Sequence, residues 1–160
     1  MRPKRIVSGG QTGVDRGGLD AAIELGIEHG GWCPRGRRAE DGAIPDRYQL
    51  NETDSADYSA RTEKNVVDSD ATLIITRDEP SGGTALTIEC ARKHGRPLLV
   101  VDVAKMEMVA AAVRVAWFVD DYGIGTLNVA GPRGSKQPEL QEQTRALLCA
   151  AFIESDDRQT

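Results

Sequence analysis

Basic residues are outnumbered in this 160-residue chain, which has 20 lysines and arginines against 25 aspartates and glutamates and a net charge of −5. Proteins that bind nucleic acid through its phosphates are typically rich in positive charge. The composition therefore excludes a generally basic nucleic-acid interface and favours a small-molecule ligand. Histidine is scarce as well: His29 and His94 are the only two, and neither stands in a pattern typical of a Ser-His-Asp triad.

Long apolar runs are also missing from the sequence. No segment approaches the roughly 20 apolar residues that cross a bilayer, and Met1 leads into a short strand instead of a signal-peptide hydrophobic region. These features predict a cytoplasmic protein with no membrane partner. The three cysteines form no Cys-x-x-Cys pair, which argues against a structural zinc site and predicts small buried apolar side chains at Cys33, Cys90 and Cys149.

The apolar residues alternate between strand-like and helical spacing along the chain. Strands are predicted near residues 5–8, 31–33, 71–76, 98–102 and 126–130, and helices around 19–27, 59–66, 85–91, 104–119 and 138–153. This alternation predicts a three-layer α/β fold with an open parallel sheet of about five strands, in the order 2-1-3-4-5. We expect one domain over residues 1–153 and a polar tail over 154–160.

Two segments have no obvious role in such a fold. The polar stretch from Pro34 to about Asp57 is longer than a connection within a domain usually is, which favours a functional covering over a linker. The helix over residues 104–119 is apolar around most of its circumference. A helix of this kind needs covering on more than one side, so it is either a core helix under a loop or a subunit interface.

Three glycine-rich loops follow predicted strands: loop 1 (residues 8–13), loop 2 (81–84) and loop 3 (130–135). At the carboxyl ends of parallel strands, such loops and the helix N-termini behind them present backbone N–H groups to an anion. Loop 1 lacks both the G-x-G-x-x-G dinucleotide fingerprint and the Gly-Lys-Ser/Thr ending of an NTPase loop. Together the loops predict a site for a phosphate-bearing or oxyanionic small molecule.

Polar side chains near the glycines support the same prediction. The exit of the second strand carries Arg35 where a dinucleotide-binding protein has an acidic residue, and a guanidinium fits phosphate oxygens in pairs. Ser81 and Thr84 can bind the ligand or cap the helix, while Arg133 and Lys136 add cations. The alternatives are tight turns, helix capping and, at Arg35, a solvated basic turn beside acidic residues.

Five ordered motifs carry a resemblance to a known family. They are Ser-Gly-Gly-Gln-Thr-Gly-Val-Asp-Arg-Gly-Gly (8–18), Gly-Trp-Cys-Pro-Arg-Gly (31–36), Arg-Thr-x-x-Asn (61–65), Ser-Gly-Gly-Thr (81–84) and Leu-Asn-Val-Ala-Gly-Pro-Arg (127–133). With them the chain resembles the molybdenum carrier, or molybdenum cofactor carrier, proteins. The resemblance implies a Rossmann-like subunit, commonly a homotetramer, that binds, protects and transfers the molybdenum cofactor or molybdate.

The cofactor of that family, built on molybdopterin, is a pterin with a terminal phosphate, a dithiolene and a metal-oxo centre. The resemblance implies that backbone amides of loops 1 and 2, with Thr84 and Arg133 or Lys136, take phosphate or oxo groups, and that Asp15 accepts from the pterin's amino edge. It also implies a homo-oligomer, dimer or tetramer, and molybdoenzymes or cofactor-synthesis proteins as partners. The loops and the resemblance together predict these ligand-binding residues: Gly9, Gly10, Gln11, Thr12, Gly13, Asp15, Arg16, Arg35, Arg61, Ser81, Gly82, Gly83, Thr84, Gly131, Arg133, Ser135 and Lys136.

Two other functions are open on the same residues. More distantly the chain is similar to the lysine decarboxylase-like nucleotide phosphoribohydrolases, which cleave the N-glycosidic bond of a nucleoside monophosphate with a Pro-Gly-Gly-x-Gly-Thr-x-x-Glu loop. Here loop 2 is shorter and Thr87 stands where that glutamate is expected, while Glu89 lies on another face of the helix. A nucleotide sensor that changes its assembly through the helix around Trp117 is the second alternative. We expect a carrier without catalytic or metal-ligating residues in preference to an enzyme.

Overall fold

A computed structural model describes residues 1–153 of the chain, and the predicted tail over 154–160 lies outside the described residues. Strands and helices alternate along the chain as the apolar spacing predicts. In chain order they are β1 (Arg5–Val7), α1 (Val14–Leu25), β2 (Glu28–Gly30), β3 (Trp32–Cys33), β4 (Arg38–Ala39), β5 (Gly42–Ala43), β6 (Asn51–Glu52), α2 (Tyr58–Val67), β7 (Ala71–Thr76), α3 (Gly82–Lys93), β8 (Leu98–Asp102), α4 (Met108–Tyr122), β9 (Thr126–Ala130) and α5 (Leu140–Phe152).

Five of these strands form one parallel sheet in the order β2-β1-β9-β7-β8. Helices α1, α4 and α5 share the main apolar core, and α2 and α3 form a smaller one. A parallel sheet is buried on both faces, because the helices that connect its strands pack against it on either side. The α/β class and the Rossmann-like three-layer architecture are therefore confirmed.

The predicted strand order is wrong in one respect. Among the five sheet strands the order is 2-1-5-3-4 instead of 2-1-3-4-5, because the last strand, β9, is inserted between β1 and β7. β9 buries Leu127, Asn128 and Val129, as an internal strand requires, whereas β8 lies at the edge and leaves Val100 exposed. As a consequence, the strands that precede loops 1, 3 and 2 are direct neighbours.

The second sheet strand ends earlier than predicted. It spans Glu28–Gly30, and the chain turns at Gly31 so that Trp32–Cys33 pairs with β6 in a separate small sheet. The bounds predicted for β7, β8 and β9 are confirmed. These three strands are mainly apolar runs followed by polar or glycine residues, which is the clearest strand signal in the chain.

The polar segment after β3 is packed onto the domain. It pairs β4 with β5 and β6 with β3, and it buries Ala39, Ile44 and Tyr48 against Leu19 of α1. The Tyr48 hydroxyl donates a hydrogen bond of 2.6 Å to Asp20. The segment is therefore an ordered layer over α1 with an apolar cluster of its own.

Helix α4 buries only one of its sides. It begins later than predicted and extends to Tyr122. Its Ala111 is buried, whereas Val109, Val113 and Trp117 are 76%, 51% and 63% exposed. Within residues 1–153 no loop covers this stripe, so this part of the chain does not support the interpretation as a core helix under a loop. None of the described helices combines the length and apolar character that crossing a membrane requires.

The cysteines differ in their surroundings. Cys33 and Cys90 are buried, as predicted, whereas Cys149 is only half-buried and its sulfur lies 3.5 Å from a Glu24 carboxylate oxygen. Desolvation raises the pKa of all three thiols. They are therefore protonated near neutral pH. The predicted buried apolar role is confirmed for Cys33 and Cys90 and holds in part for Cys149, which is half-buried and packs against the main core.

Candidate functional site

A cavity of about 440 Å³ opens at the carboxyl ends of β1, β9 and β7, where the three glycine-rich loops meet. The inserted position of β9 places loop 3 between loops 1 and 2. The following predicted residues line the cavity: Gly9, Gln11, Asp15, Arg61, Ser81, Gly82, Gly83, Thr84, Gly131, Arg133 and Lys136. Their shared location makes this cavity the candidate site, while their contact with a ligand remains a prediction.

The N-terminus of α3 offers the cavity a set of unused hydrogen-bond donors. Ser81 is the N-cap residue, yet its side chain caps no backbone N–H group. Its carbonyl oxygen accepts from the N–H groups of Thr84 and Ala85 at 3.1 and 3.3 Å. Within the described part of the chain, the N–H groups of Gly82 and Gly83 and the hydroxyl of Thr84 have no hydrogen-bond partner, although Thr84 is only 5% exposed.

A cation and the helix dipole reinforce these donors. Lys136, just after loop 3, places its ammonium nitrogen 3.7 Å from where a Cβ on Gly82 would stand. The first turn of a helix carries partial positive charge because its N–H groups point outward without partners. Loop 2 therefore has the properties of an oxyanion site, and the capping interpretation of Ser81 is wrong.

Loop 1 uses three of its N–H groups internally. The N–H of Gly10 donates to the Ser8 hydroxyl at 3.4 Å, that of Gln11 to Asp15 Oδ2 at 3.2 Å, and that of Thr12 to Gln11 Oε1 at 3.1 Å. Polar side chains of the loop and of α1 already accept from these three N–H groups, while phosphate binding by the other amides of loop 1 stays a prediction. Loop 1 contributes Gly9 and the Gln11 side chain to the cavity lining.

Asp15 and Arg61 form a buried pair at the base of the cavity. They are 6% and 8% exposed, and Arg61 Nη1 lies 3.9 Å from Asp15 Oδ2. Desolvation raises the pKa of Asp15 from 3.8 to about 6, against the opposing effect of Arg61, the Gln11 N–H, Arg16 and Arg133. Arg61 also donates to the Gly9 carbonyl at 2.7 Å, so close that a Cβ on Gly9 would lie 2.2 Å from Nη1.

The Glu40 carboxylate accepts hydrogen bonds from residues that the sequence predicted to bind the ligand. Glu40, between β4 and β5, accepts from the Thr12 hydroxyl and, at 3.0 and 2.6 Å, from the N–H and hydroxyl of Ser135. Arg133 Nη1 lies 3.8 Å from Glu40 Oε2. Partial burial alone would raise the pKa of Glu40, but the hydrogen bonds from Ser135 and Thr12 outweigh it and hold the pKa below its usual value.

Three other predicted residues lie outside the cavity. Arg16 is buried and binds Asp41 in a two-point ion pair with distances of 2.7 and 2.8 Å. Gly10 lies under the side chains of Ile44 and Leu50. Arg35 is exposed in the turn after β3 and does not line the cavity. Thr12 and Gly13, which contact loop 3, and Ser135, which binds Glu40, also lie outside the lining. Six of the predicted residues are therefore not part of it.

The cavity also has residues that the sequence did not single out as ligand-binding. They are Thr62, Asn65, Arg77, Asp78, Glu79, Thr87, Asn128, Ala130, Pro132 and Gln137. Asn128 could have been found from the sequence, because it is a polar residue inside an apolar strand. Its amide donates to the Thr72 hydroxyl on β7 at 3.2 Å. Asn65 has a structural role, since its amide accepts from and donates to the backbone of Trp32.

Three guanidinium groups lie near the aromatic ring of Tyr58, at the start of α2. The Cζ atoms of Arg38, Arg61 and Arg133 lie 5.9, 5.2 and 5.7 Å from the centre of its ring. Cations within about 6 Å of an aromatic face are attracted to it. Tyr58 therefore helps to position Arg61 and Arg133 at the cavity, a role that no sequence pattern indicated.

The comparisons with known proteins agree with this architecture. A family model described as the circularly permutated YpsA SLOG family matches residues 6–152. The chain is 45% identical to a solved structure from Syntrophus aciditrophicus SB, described as "Putative molybdenum carrier protein", with a TM-score of 0.92 over 94% of this chain and 95% of that one. Among curated proteins, no sequence matches.

Proposed function

Because the chain belongs to the circularly permuted YpsA SLOG family, we propose that it is a cytoplasmic carrier that binds an oxyanionic molybdenum compound, the molybdenum cofactor or molybdate. The observation that carries the proposal is the set of unused donors at the N-terminus of α3, which faces the cavity where three neighbouring strands end. The description of the Syntrophus structure as a molybdenum carrier supports this choice of oxyanion.

The residues present fit such a ligand by their chemistry. The N–H groups of Gly82 and Gly83, the Thr84 hydroxyl and Lys136 are donors suited to a phosphate or a metal-oxo group. Asp15 is suited to accept from the amino edge of a pterin, since its Oδ1 has no hydrogen bond within the described residues. A carrier of this kind would exchange its ligand with cofactor-synthesis proteins or molybdoenzymes.

A carrier suits the cavity better than an N-glycosidase does. Glu89 is exposed and lies outside the cavity. Thr87 does line the cavity, but its hydroxyl donates to the Gly83 carbonyl at 2.9 Å within the helix. Neither residue therefore offers a carboxyl group where the related hydrolases place theirs.

Replacing Thr84 with valine is expected to lower the affinity for the ligand about tenfold or more. A hydrogen bond to a charged group contributes about 1.5–3 kcal/mol, and about 1.4 kcal/mol corresponds to a factor of ten. The fold should keep its stability because the Thr84 hydroxyl has no partner in the described residues and valine has nearly the same shape. Thr144→Val is the matched control, because the buried Thr144 hydroxyl also has no partner in the described residues and Thr144 lies outside the cavity lining. Its affinity should remain close to that of the wild type.

The measurement is metal analysis and mass spectrometry of the three proteins after gentle purification from a host that makes the molybdenum cofactor. We expect pterin and molybdenum with the wild type and Thr144→Val, and little of either with Thr84→Val. Empty proteins that release ribose 5-phosphate from nucleoside monophosphates would overturn the carrier and favour the glycosidase.

We also propose that the exposed stripe of α4 is an interface between copies of this chain. Replacing Trp117 with glutamate should dissociate the assembly, because a charged side chain would be buried without a partner in an apolar contact. Light scattering after size exclusion should then give a mass near 17.3 kDa for the variant and a multiple of it for the wild type. Ile23→Glu, on exposed α1 surface, is the control; a wild type that is already monomeric would contradict the proposal.

A further inference from the structure

We infer that the donors that hold Glu40 form a second oxyanion site next to the cavity, and that an incoming tetrahedral oxyanion takes them from the Glu40 carboxylate. The inference rests on the proposed binding of an oxyanionic ligand in the cavity. It assigns the ligand a second anionic group, or a second anion, at a position separate from the N-terminus of α3.

The first argument is the convergence of the donors. The Thr12 hydroxyl, the N–H and hydroxyl of Ser135 and the Arg133 guanidinium come from loops 1 and 3 and meet at one carboxylate. Backbone N–H groups, hydroxyls and a guanidinium are the donors that bind phosphate-like groups in proteins. A carboxylate has two oxygens and one charge, so a divalent tetrahedral oxyanion would use the same donors more fully.

The second argument is that the Glu40 side chain can move away from these donors while the backbone around it stays in place. The Glu40 N–H donates to Gln11 Oε1 at 2.9 Å, and the neighbouring Asp41 is bound by buried Arg16. The backbone around Glu40 is therefore anchored independently of its side chain. Loops 1 and 3 are joined without Glu40 as well, because the Gly134 N–H donates to the Thr12 hydroxyl at 3.0 Å. Rotation of one side chain is enough to release the donors.

The third argument connects this position to the cavity. Arg133 lines the cavity, retains 36% side-chain exposure and lies a long 3.8 Å from Glu40, so it can serve either anion. Gln11, also in the lining and 5% exposed, has an amide nitrogen without an acceptor among the described residues. A buried donor left without a partner is rare in proteins, and this one belongs to a residue that lines the cavity. Both residues contact Glu40 and also line the cavity.

Replacing Glu40 with glutamine tests the exchange, because glutamine keeps the size and an acceptor oxygen but removes the competing charge. An ion pair of this exposure contributes up to about 1 kcal/mol, so we expect orthophosphate and molybdate to bind about threefold to fivefold more tightly at this position. Asp46→Asn removes the same charge from an exposed position of the same segment and should leave the affinity unchanged.

The readout is the amide signals of the ¹⁵N-labelled full chain, titrated with orthophosphate or molybdate. We expect Ser135 to shift together with Gly82 and Gly83 in the wild type, and at lower anion concentration in Glu40→Gln. A Ser135 signal that stays in place while those of Gly82 and Gly83 saturate, or weaker binding by Glu40→Gln, would overturn the second site and leave the proposed function standing. If only Ser135 shifts, the cavity site fails and the second site stands; if no signal shifts, both fail.

Discussion

Replacing Gly13 with alanine should lower the free energy of unfolding by about 3 kcal/mol or more, because two penalties coincide at this residue. Gly13 has φ +86°, a conformation that side chains disfavour, and its Cβ would lie 2.4 Å from the Pro132 carbonyl oxygen and 2.8 Å from the Gly134 nitrogen. Both are backbone atoms, so relief would require loop 3 to move away from loop 1. The hydrogen bond from the Val14 N–H to Pro132, at 3.3 Å, would be lost with that movement.

Chemical denaturation of the wild type and the variant measures this difference. Gly83→Ala is the matched control, since a Cβ at Gly83 would meet nothing within 4 Å and its backbone φ is not in the left-handed region. Alanine favours a helix over glycine by up to about 1 kcal/mol, so this variant should equal or exceed the wild type in stability. A Gly13→Ala protein as stable as the wild type would show that the close contact of loops 1 and 3 is not needed for the fold.

Replacing Asp15 with asparagine should raise the free energy of unfolding by about 3 kcal/mol at pH 7 and leave it nearly unchanged at pH 4. Burial raises the pKa of Asp15 from 3.8 to about 6 despite the nearby Arg61. A pKa difference of this size corresponds to about 3 kcal/mol, and asparagine retains an oxygen that can accept from the Gln11 N–H. The variant removes a carboxylate charge whose burial lowers the stability of the folded protein.

The sign of the pH dependence follows from proton binding. Between pH 4 and pH 6 the folded protein holds a proton on Asp15 that the unfolded chain has released, so the stability of the wild type falls as the pH rises through this range. Asp15→Asn should lack this decline in denaturation experiments at several pH values. Asp41→Asn is the control of opposite sign, because the hydrogen bond from Arg16 lowers the pKa of Asp41 and its charge is stabilising. An Asp15→Asn protein less stable than the wild type at pH 7 would contradict the prediction.

A buried carboxylate that costs stability is typical of a functional site. If Asp15 accepts a hydrogen bond from the ligand, the more stable Asp15→Asn protein should bind that ligand more weakly. Stability and binding would then change in opposite directions.

Much of the candidate site could be predicted from the sequence. The apolar runs at 71–76 and 126–130 end in glycine-rich or polar loops, and parallel strands bring such loops to one edge of a sheet. Gly82, Gly83 and Thr84 were found in this way. Tyr58 was not, because its contacts with Arg38 and Arg133 join distant segments and leave no local pattern.

By itself, the sequence determined the alternation of strands and helices, the exits at which glycine-rich loops stand, and the family, because periodicity, turn residues and ordered motifs are local properties of the chain. The tertiary structure decided the position of β9 between β1 and β7 and which donors already have acceptors. The Gly134 N–H and the Thr12 hydroxyl are 122 residues apart in sequence, and Ser135 and Glu40 are 95 apart. The sequence shows which donors and acceptors are available. Which of them form hydrogen bonds with each other is decided only by the packing of the whole chain.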